Sequence, residues 1–144
     1  RIRIEDILKL SNLAENYNAS ELTDNCLAKN IKKTANILNE NNYSNEDCIL
    51  IVRTLLTKAK RLLKLQEEVK KNKNIEQVIT NFKPPIFWKD KEIVKQQINH
   101  WPLEKIINMI ENINEIELLI KKNSTNSLNI LSNFIISQST TSNN

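Results

Sequence analysis

The sequence predicts an all-α protein, a compact bundle of about five to seven helices. The chain contains no glycine and only three prolines, and its apolar residues recur at three- and four-residue steps along most of its length. Tight hairpins depend on glycine for positive φ angles, so its absence disfavours small β-sheets. We expect asparagine to take the left-handed C-cap positions that glycine normally fills. With 144 residues, 40% of them hydrophobic and 26% charged, the chain has the size and composition of one globular domain.

The missing glycine also excludes several kinds of functional site. A Walker phosphate loop, a dinucleotide fingerprint and a nucleophile elbow all require it. Cys26 and Cys48 have no CxxC spacing and no clustered histidine, which indicates reduced thiols rather than a zinc site or a disulfide framework. The sequence therefore predicts a protein with no metal and no cofactor.

Charge and hydropathy limit the kinds of partner and the cellular location that the sequence allows. A net charge of +4 and a pI near 9.1 permit an anionic partner without requiring one. No apolar run approaches the ~20 residues of a membrane span, so we expect a cytoplasmic protein with no membrane contact. The chain begins at Arg1 rather than methionine, and we interpret it as a fragment of a longer protein.

The first half of the chain divides into a linker, a helical hairpin and one long helix. We interpret residues 1–19 as the trailing end of a preceding domain plus a linker, and Ser20 as the N-cap of a helix to residue 29. A second helix is predicted over residues 31–39. Residues 44–47, Ser-Asn-Glu-Asp, form a capping-box signal before a helix that reaches Lys71. This helix carries a broad apolar stripe that predicts a central position in the bundle, formed by Cys48, Val52, Leu55, Ala59 and Leu62.

The second half predicts four more helices. Two prolines at 84 and 85 end a short helix over residues 75–81, and the next helix begins near Ile86 and stops before Trp101. Pro102 starts the following helix at its first position, which reaches residue 122. A last helix covers residues 126–137. Residues 138–144 are rich in Ser, Thr and Asn and are predicted to be a disordered tail, which leaves 20–137 as the helical domain.

Few residues could carry catalysis. The single histidine, His100, has no nucleophile pattern near it, and a structural or surface role is favoured. Glu117 falls within the apolar stripe of its helix with Lys121 four residues later, an orientation that favours an ion pair. A carboxylate at such a place must be paired. We favour a structural pair within the chain, with an intersubunit contact as the alternative.

Helical spacing predicts different environments for the adjacent residues Phe87 and Trp88. Phe87 belongs to a set spaced by seven, four and three residues, which predicts one buried helical face made of Phe87, Val94, Ile98 and Trp101. Trp88 projects about 100° away from that face, toward Lys91 and Lys95. An exposed tryptophan among lysines suits a protein interface or base stacking on single-stranded nucleic acid, and packing against a neighbouring helix of the same domain stays an equal alternative.

Three stretches of the sequence carry a family resemblance. They are Phe-Trp-Lys-Asp-Lys at 87–91, Gln-Gln-Ile-Asn-His-Trp-Pro-Leu-Glu-Lys at 96–105, and Ile-Glu-Leu-Leu-Ile-Lys at 116–121. In residues and in order they resemble the C-terminal region of the delta subunit of the bacterial DNA polymerase III clamp loader. Ile-Glu-Asp-Ile at 4–7 resembles the end of that family's second domain, and residues 55–65 resemble its long Leu/Arg-rich helix. The resemblance covers nearly the whole chain.

The resemblance implies a helical collar domain without chemistry of its own. In that family the collar joins delta to delta prime and to gamma or tau in a five-membered ring. The ring places the sliding clamp on primed DNA during replication, within a DNA-directed DNA polymerase complex. Delta contacts the clamp through N-terminal domains that this chain lacks, and ATP is bound by other subunits. The collar's contact with primed DNA is therefore expected to be weak or indirect.

A second hypothesis comes from the basic residues of the long helix. Residues 58–73 carry seven cations against two carboxylates, and together with Trp88 they could form a stand-alone module that binds nucleic acid. Under the collar hypothesis most of this basic region is a solvated helix face, formed by Lys58, Lys60, Arg61 and Lys64. The two hypotheses differ in whether the chain binds partner proteins stably or binds DNA or RNA in a salt-sensitive way.

Overall fold

Residues 3–72 and 74–140, the part that this computed structural model describes, form seven α-helices and contain no strand. The predicted all-α fold is therefore confirmed. In chain order the α-helices are α1 Ile4–Leu27, α2 Ile31–Glu40, α3 Asn45–Asn72, α4 Ile75–Asn81, α5 Lys91–His100, α6 Leu103–Lys122 and α7 Ser127–Ser139. Short 3-10 helices, Trp88–Asp90 and Ser124–Asn126, precede α5 and α7.

Helix α3 is the centre of the bundle and begins at a reciprocal capping box. The backbone N–H of Asp47 donates to Ser44 Oγ at 3.1 Å, and the N–H of Ser44 donates to the Asp47 carboxylate at 3.0 Å. The predicted stripe is buried at all five positions. Helix α3 packs against α1 and α6 along its length and also contacts α4, α5 and α7. Its apolar face therefore organises the core, as the periodicity predicts.

Helix α1 is longer than predicted. It runs without a break from Ile4 to Leu27, so Ser20 lies inside the helix and is not an N-cap. Polar residues such as Asn16 and Asn18 lower helix propensity only slightly, and packing of the second half of α1 extends the helix backward through them. Burial begins at Ala19. The proposed boundary between a preceding domain and the bundle at residue 19 stays a prediction.

The residue with positive φ among those described is Lys29, at φ 63°, and not an asparagine. It ends α1 in a Schellman arrangement, in which the N–H of Asn30 donates to the carbonyl of Asn25 at 3.0 Å. The predicted asparagine caps have negative φ, as Asn41 at −123° and Asn123 at −126° show. Hydrogen bonds from the Lys29 ammonium to two carbonyl oxygens and its contact with the Trp101 ring offset the steric cost of a left-handed lysine.

Helix α5 starts five residues later than predicted, which corrects the assignment of Phe87. Residues 82–87 are extended or irregular after the two prolines, and Phe87 itself has φ −58° and ψ 136°. The seven-residue step from Phe87 to Val94 is therefore not a helical spacing, and Phe87 is 57% exposed rather than buried. Val94, Ile98 and Trp101 do lie in the core.

Helices α6 and α7 complete the bundle. Pro102 is the N-cap of α6 rather than its first helical residue, with ψ 153°. Helix α7 extends to Ser139, so Gln138 and Ser139 are not part of a disordered tail, and Ser139 is fully buried. Residues 141–144 of the predicted tail lie outside the described residues. The core that α6 adds consists of Ile106, Met109, Ile113 and Ile120.

Candidate interaction surface

The titratable residues singled out from the sequence are scattered in the structure. The described residues contain no group of three or more side chains that could hold a metal ion, and His100 is exposed at the end of α5. Cys26 and Cys48 are free and buried. Burial raises the pKa of the Cys26 thiol to about 12, which keeps the thiol protonated and unreactive.

No helix in the described ranges has the length and apolar composition that crossing a bilayer requires.

Trp88 and Phe87 form an exposed aromatic pair in front of α5. Their exposed fractions are 68% and 57%, and their ring centroids are 5.9 Å apart with the planes tilted by 52°. The ammonium of Lys89 lies 5.5 Å from the centroid of the Trp88 ring, within range of a cation–π interaction. Of the two alternatives left open for Trp88, exposure to solvent and packing within the domain, the structure shows exposure. The aromatic residue beside it, Phe87, was predicted to be buried.

The two lysines predicted to accompany Trp88 have other surroundings. Lys95 Nζ lies 2.6 Å from Glu76 of α4, and this hydrogen bond raises the pKa of Lys95 and lowers that of Glu76. Lys91 is half-buried in the first turn of α5. The lysine that makes a cation–π contact with the Trp88 ring is Lys89.

Tyr17 joins the aromatic pair across a surface groove. Tyr17 and Phe87 both line a cavity of about 620 Å³ between α1 and the start of α5, and Ile93 is another of its lining residues. Tyr17 is 70% exposed. We call Tyr17, Phe87 and Trp88 the aromatic surface. Tyr17 lies in the stretch predicted to be a linker, so it was not predicted to belong to a surface, although it continues the apolar spacing of Leu10.

The charges that line this groove nearly cancel. Lys33 and Lys89 contribute positive charge, and Glu21 and Asp90 contribute negative charge. Asp24 also lines the groove, but α3 neutralises its carboxylate from the other side. The groove therefore has little net field with which to attract a polyanion.

Asp24 is the centre of a buried polar cluster that the sequence did not reveal. Its carboxylate lies 2.6 Å from Lys58 Nζ and 3.5 Å from the Arg61 guanidinium. The side-chain amide of Gln97 donates to the same carboxylate at 3.1 Å. Nothing in the sequence marks Asp24 or Gln97, because isolated polar residues on helices are usually exposed.

This cluster corrects the interpretation of the basic face of α3. Lys58 and Arg61 are not solvated, since their side chains are only 11% and 23% exposed and both turn inward to Asp24. Lys60 and Lys64 are exposed, as predicted. Lys73 lies outside the described residues. The basic face that is free to meet phosphates is accordingly smaller than the sequence suggests.

Glu117 and Lys121 form an ion pair within the chain. Lys121 Nζ lies 2.7 Å from Glu117 Oε2, and Arg53 of α3 approaches the same oxygen at 3.8 Å. The Glu117 side chain is 20% exposed, so it is only partly buried at its predicted place within the apolar stripe. A role of this pair between subunits stays a prediction.

Comparison of the chain with protein-family profiles, with curated proteins and with solved structures finds no significant match.

Proposed function

We propose that this chain is a collar-type assembly domain of a clamp-loader delta subunit, which joins delta prime and gamma or tau in a five-membered ring. The observation that carries the proposal is the aromatic surface. Tyr17 and Phe87 come from two separate parts of the chain and line one groove, and the exposed Trp88 ring lies 5.9 Å from the Phe87 ring. Aromatic residues are enriched at the centres of protein interfaces and supply much of the binding free energy there.

The charge around this surface supports a protein partner. A nucleic-acid site needs a clear excess of positive charge, whereas Lys33 and Lys89 stand beside Glu21 and Asp90 in this groove. Two cations on which the alternative module relies, Lys58 and Arg61, are engaged by Asp24. A groove with little net charge and an aromatic lining fits the apolar side chains of a neighbouring subunit better than it fits a phosphate backbone.

In this function the chain supplies contact surface and no chemistry. The fold has no glycine with which to build a phosphate loop, so ATP would be bound by the neighbouring subunits. The sliding clamp would be contacted by the N-terminal domains of the family, and primed DNA only weakly or through the assembled ring. The residues that act are those that pack against the neighbours, with Trp88 as the main anchor.

Reconstitution with delta prime and tau subunits from the same source tests the proposal. We expect the chain to co-elute with them in size-exclusion chromatography, and Trp88→Ala to weaken the complex about tenfold or more because it removes an interface anchor. The variant should keep its circular dichroism spectrum, since Trp88 is exposed. Lys60→Ala, at an exposed position of α3, is the control and should leave the complex unchanged. A chain that elutes alone, or a complex indifferent to Trp88→Ala, contradicts the proposal.

A further inference from the structure

The buried cluster around Asp24 contains polar atoms that its own contacts leave without a partner. Arg61 Nε, Arg61 Nη2 and Gln97 Oε1 are buried, and none of them makes a hydrogen bond within the described residues. Arg61 Nη2 lies 3.5 Å from Asp24 Oδ1, which is longer than a normal hydrogen bond. Because buried polar groups are nearly always hydrogen-bonded, these atoms indicate a further molecule in the cluster.

The Gln97 side chain has a fixed orientation, so its free atom is an acceptor. Its amide nitrogen donates to two oxygens of Asp24, the backbone carbonyl at 3.0 Å and Oδ1 at 3.1 Å. Turning the amide by 180° would place Oε1 against these two acceptors, which is unfavourable. Gln97 is fully buried, and its Oε1 is therefore an acceptor that needs a donor inside the bundle.

Arg61 presents two donors on one edge of its guanidinium. The N–H of Nε and one N–H of Nη2 run parallel, so a single acceptor can receive both. The guanidinium stays charged at any physiological pH, and deprotonation cannot remove these donors. Arg61 Nη2 and Gln97 Nε2 both contact Asp24 Oδ1, which places the guanidinium and the amide beside the same oxygen atom.

We propose that one buried water molecule bridges Arg61 and Gln97. It accepts hydrogen bonds from Arg61 Nε and Nη2 and donates one to Gln97 Oε1. Three hydrogen bonds are typical of a buried water in a protein. The bridge connects α3 to α5 inside the bundle, next to the ion pair of Asp24 with Lys58. It does not depend on the proposed function.

The free atoms favour water over an ion. Two donors and one acceptor require a molecule that both accepts and donates hydrogen bonds, and water does both. An anion such as chloride could accept from Arg61, but it would lie close to Gln97 Oε1 and to the Asp24 carboxylate. A cation would be repelled by Lys58 and Arg61. Larger polar molecules have no access, because the three free atoms are closed off from solvent.

A high-resolution crystal structure of the chain, grown with bromide in place of chloride, tests the ligand directly. We expect one solvent peak within about 2.7–3.2 Å of Arg61 Nε, Arg61 Nη2 and Gln97 Oε1, with no anomalous signal from bromide. Anomalous density at this place would identify an anion and overturn the proposal. A direct hydrogen bond from Arg61 to Gln97 Oε1 would overturn it too, and so would the lack of any peak.

Nuclear magnetic resonance tests the same site in solution. A water molecule held inside a protein gives cross-peaks of opposite sign in nuclear Overhauser (NOE) and rotating-frame (ROE) spectra, whereas proton exchange with bulk water gives the same sign in both. We expect opposite signs at the Arg61 Nε–H. The internal control is Arg53, whose side chain is 61% exposed and which should show exchange. An exchange pattern at Arg61 as well would contradict the proposal.

Gln97→Met removes the acceptor and keeps the length of the side chain. We expect the water cross-peak of Arg61 to be lost, because the water has no acceptor for its hydrogen. Gln77→Met, at an exposed position of α4, is the matched control and should leave the cross-peak unchanged. A cross-peak that persists in Gln97→Met, or that both variants lose equally, contradicts the bridge. The wild-type spectra decide the proposal even if Gln97→Met fails to fold.

Discussion

The ammonium of Lys29 lies 3.9 Å from the centroid of the Trp101 ring. The same ammonium donates to the carbonyl oxygens of Gln138 at 2.9 Å and Thr140 at 3.2 Å. The indole N–H of Trp101 donates to the carbonyl of Leu27 at 2.7 Å. Two side chains therefore connect the end of α1, the junction of α5 and α6, and the end of α7.

We expect Lys29→Met to lower the free energy of unfolding by about 2–4 kcal/mol. The substitution removes hydrogen bonds from a charged donor, worth roughly 1.5–3 kcal/mol in total, and a cation–π contact worth about 0.5–1 kcal/mol. Urea denaturation followed by circular dichroism measures the change. Lys32→Met, at an exposed lysine of α2, is the control and should leave stability unchanged. Equal stabilities of the two variants would show that the Lys29 contacts contribute nothing.

Asp24→Ala should lower the free energy of unfolding by more, about 3–5 kcal/mol. Lys58 and Arg61 are largely buried, and the substitution removes the carboxylate that pairs with them. The control is Glu76→Ala, which removes the carboxylate of a surface ion pair. Glu76 is 72% exposed, so this substitution should not measurably change the free energy of unfolding. Both variants can be compared by thermal and urea denaturation. A mild effect of Asp24→Ala would mean that the two cations find other partners or water.

Alkaline pH should destabilise the fold. Burial raises the pKa of Cys26 from 9.0 and that of Tyr43 from 10.0, in each case to about 12. Between about pH 9 and pH 12 the unfolded chain loses protons that the folded chain keeps, so stability is full below this window and falls as pH rises through it. Cys26 alone contributes a slope of up to about 1.4 kcal/mol per pH unit.

Urea midpoints at a series of pH values measure this slope. Tyr43→Phe should reduce the dependence of the free energy of unfolding on pH above pH 10, because phenylalanine has no proton to lose. The substitution also removes the hydrogen bond from Tyr43 to Asn18. A free energy of unfolding that stays constant from pH 9 to pH 11 would contradict the expected protonation of both groups.

Single-stranded DNA should bind only weakly at physiological salt. Fluorescence anisotropy with a labelled oligonucleotide should give a dissociation constant no tighter than about 10⁻⁶ M, typical of non-specific binding. A site that neutralises six or more phosphates would lose roughly a thousandfold in affinity between 50 and 200 mM salt. Nanomolar affinity near 150 mM salt that falls strongly in Trp88→Ala and Lys91→Ala would instead favour the nucleic-acid module over the collar.

The sequence by itself determined the fold class and most of the helices. The lack of glycine and the 3.6-residue periods predict an all-α bundle, and the bounds predicted for α2, α4 and α6 agree with the structure to within one residue. Caps and prolines are local signals, which act through hydrogen bonds and dihedral limits within a few residues. For this reason the capping box at Ser44 and Asp47 could be recognised without any knowledge of the tertiary structure.

The tertiary structure alone decided which side chains are buried in polar clusters and which aromatics face solvent. Phe87 was predicted to be buried but is exposed, because its backbone is extended. Tyr17 lies in a stretch that looks like a linker in the sequence, but α1 continues through this stretch. The inward turn of Lys58 depends on Asp24, which lies 34 residues away in the chain. Such pairings result from packing between helices. The periodicity of a sequence shows which face of each helix is apolar, but it does not show which residue of another helix lies against that face.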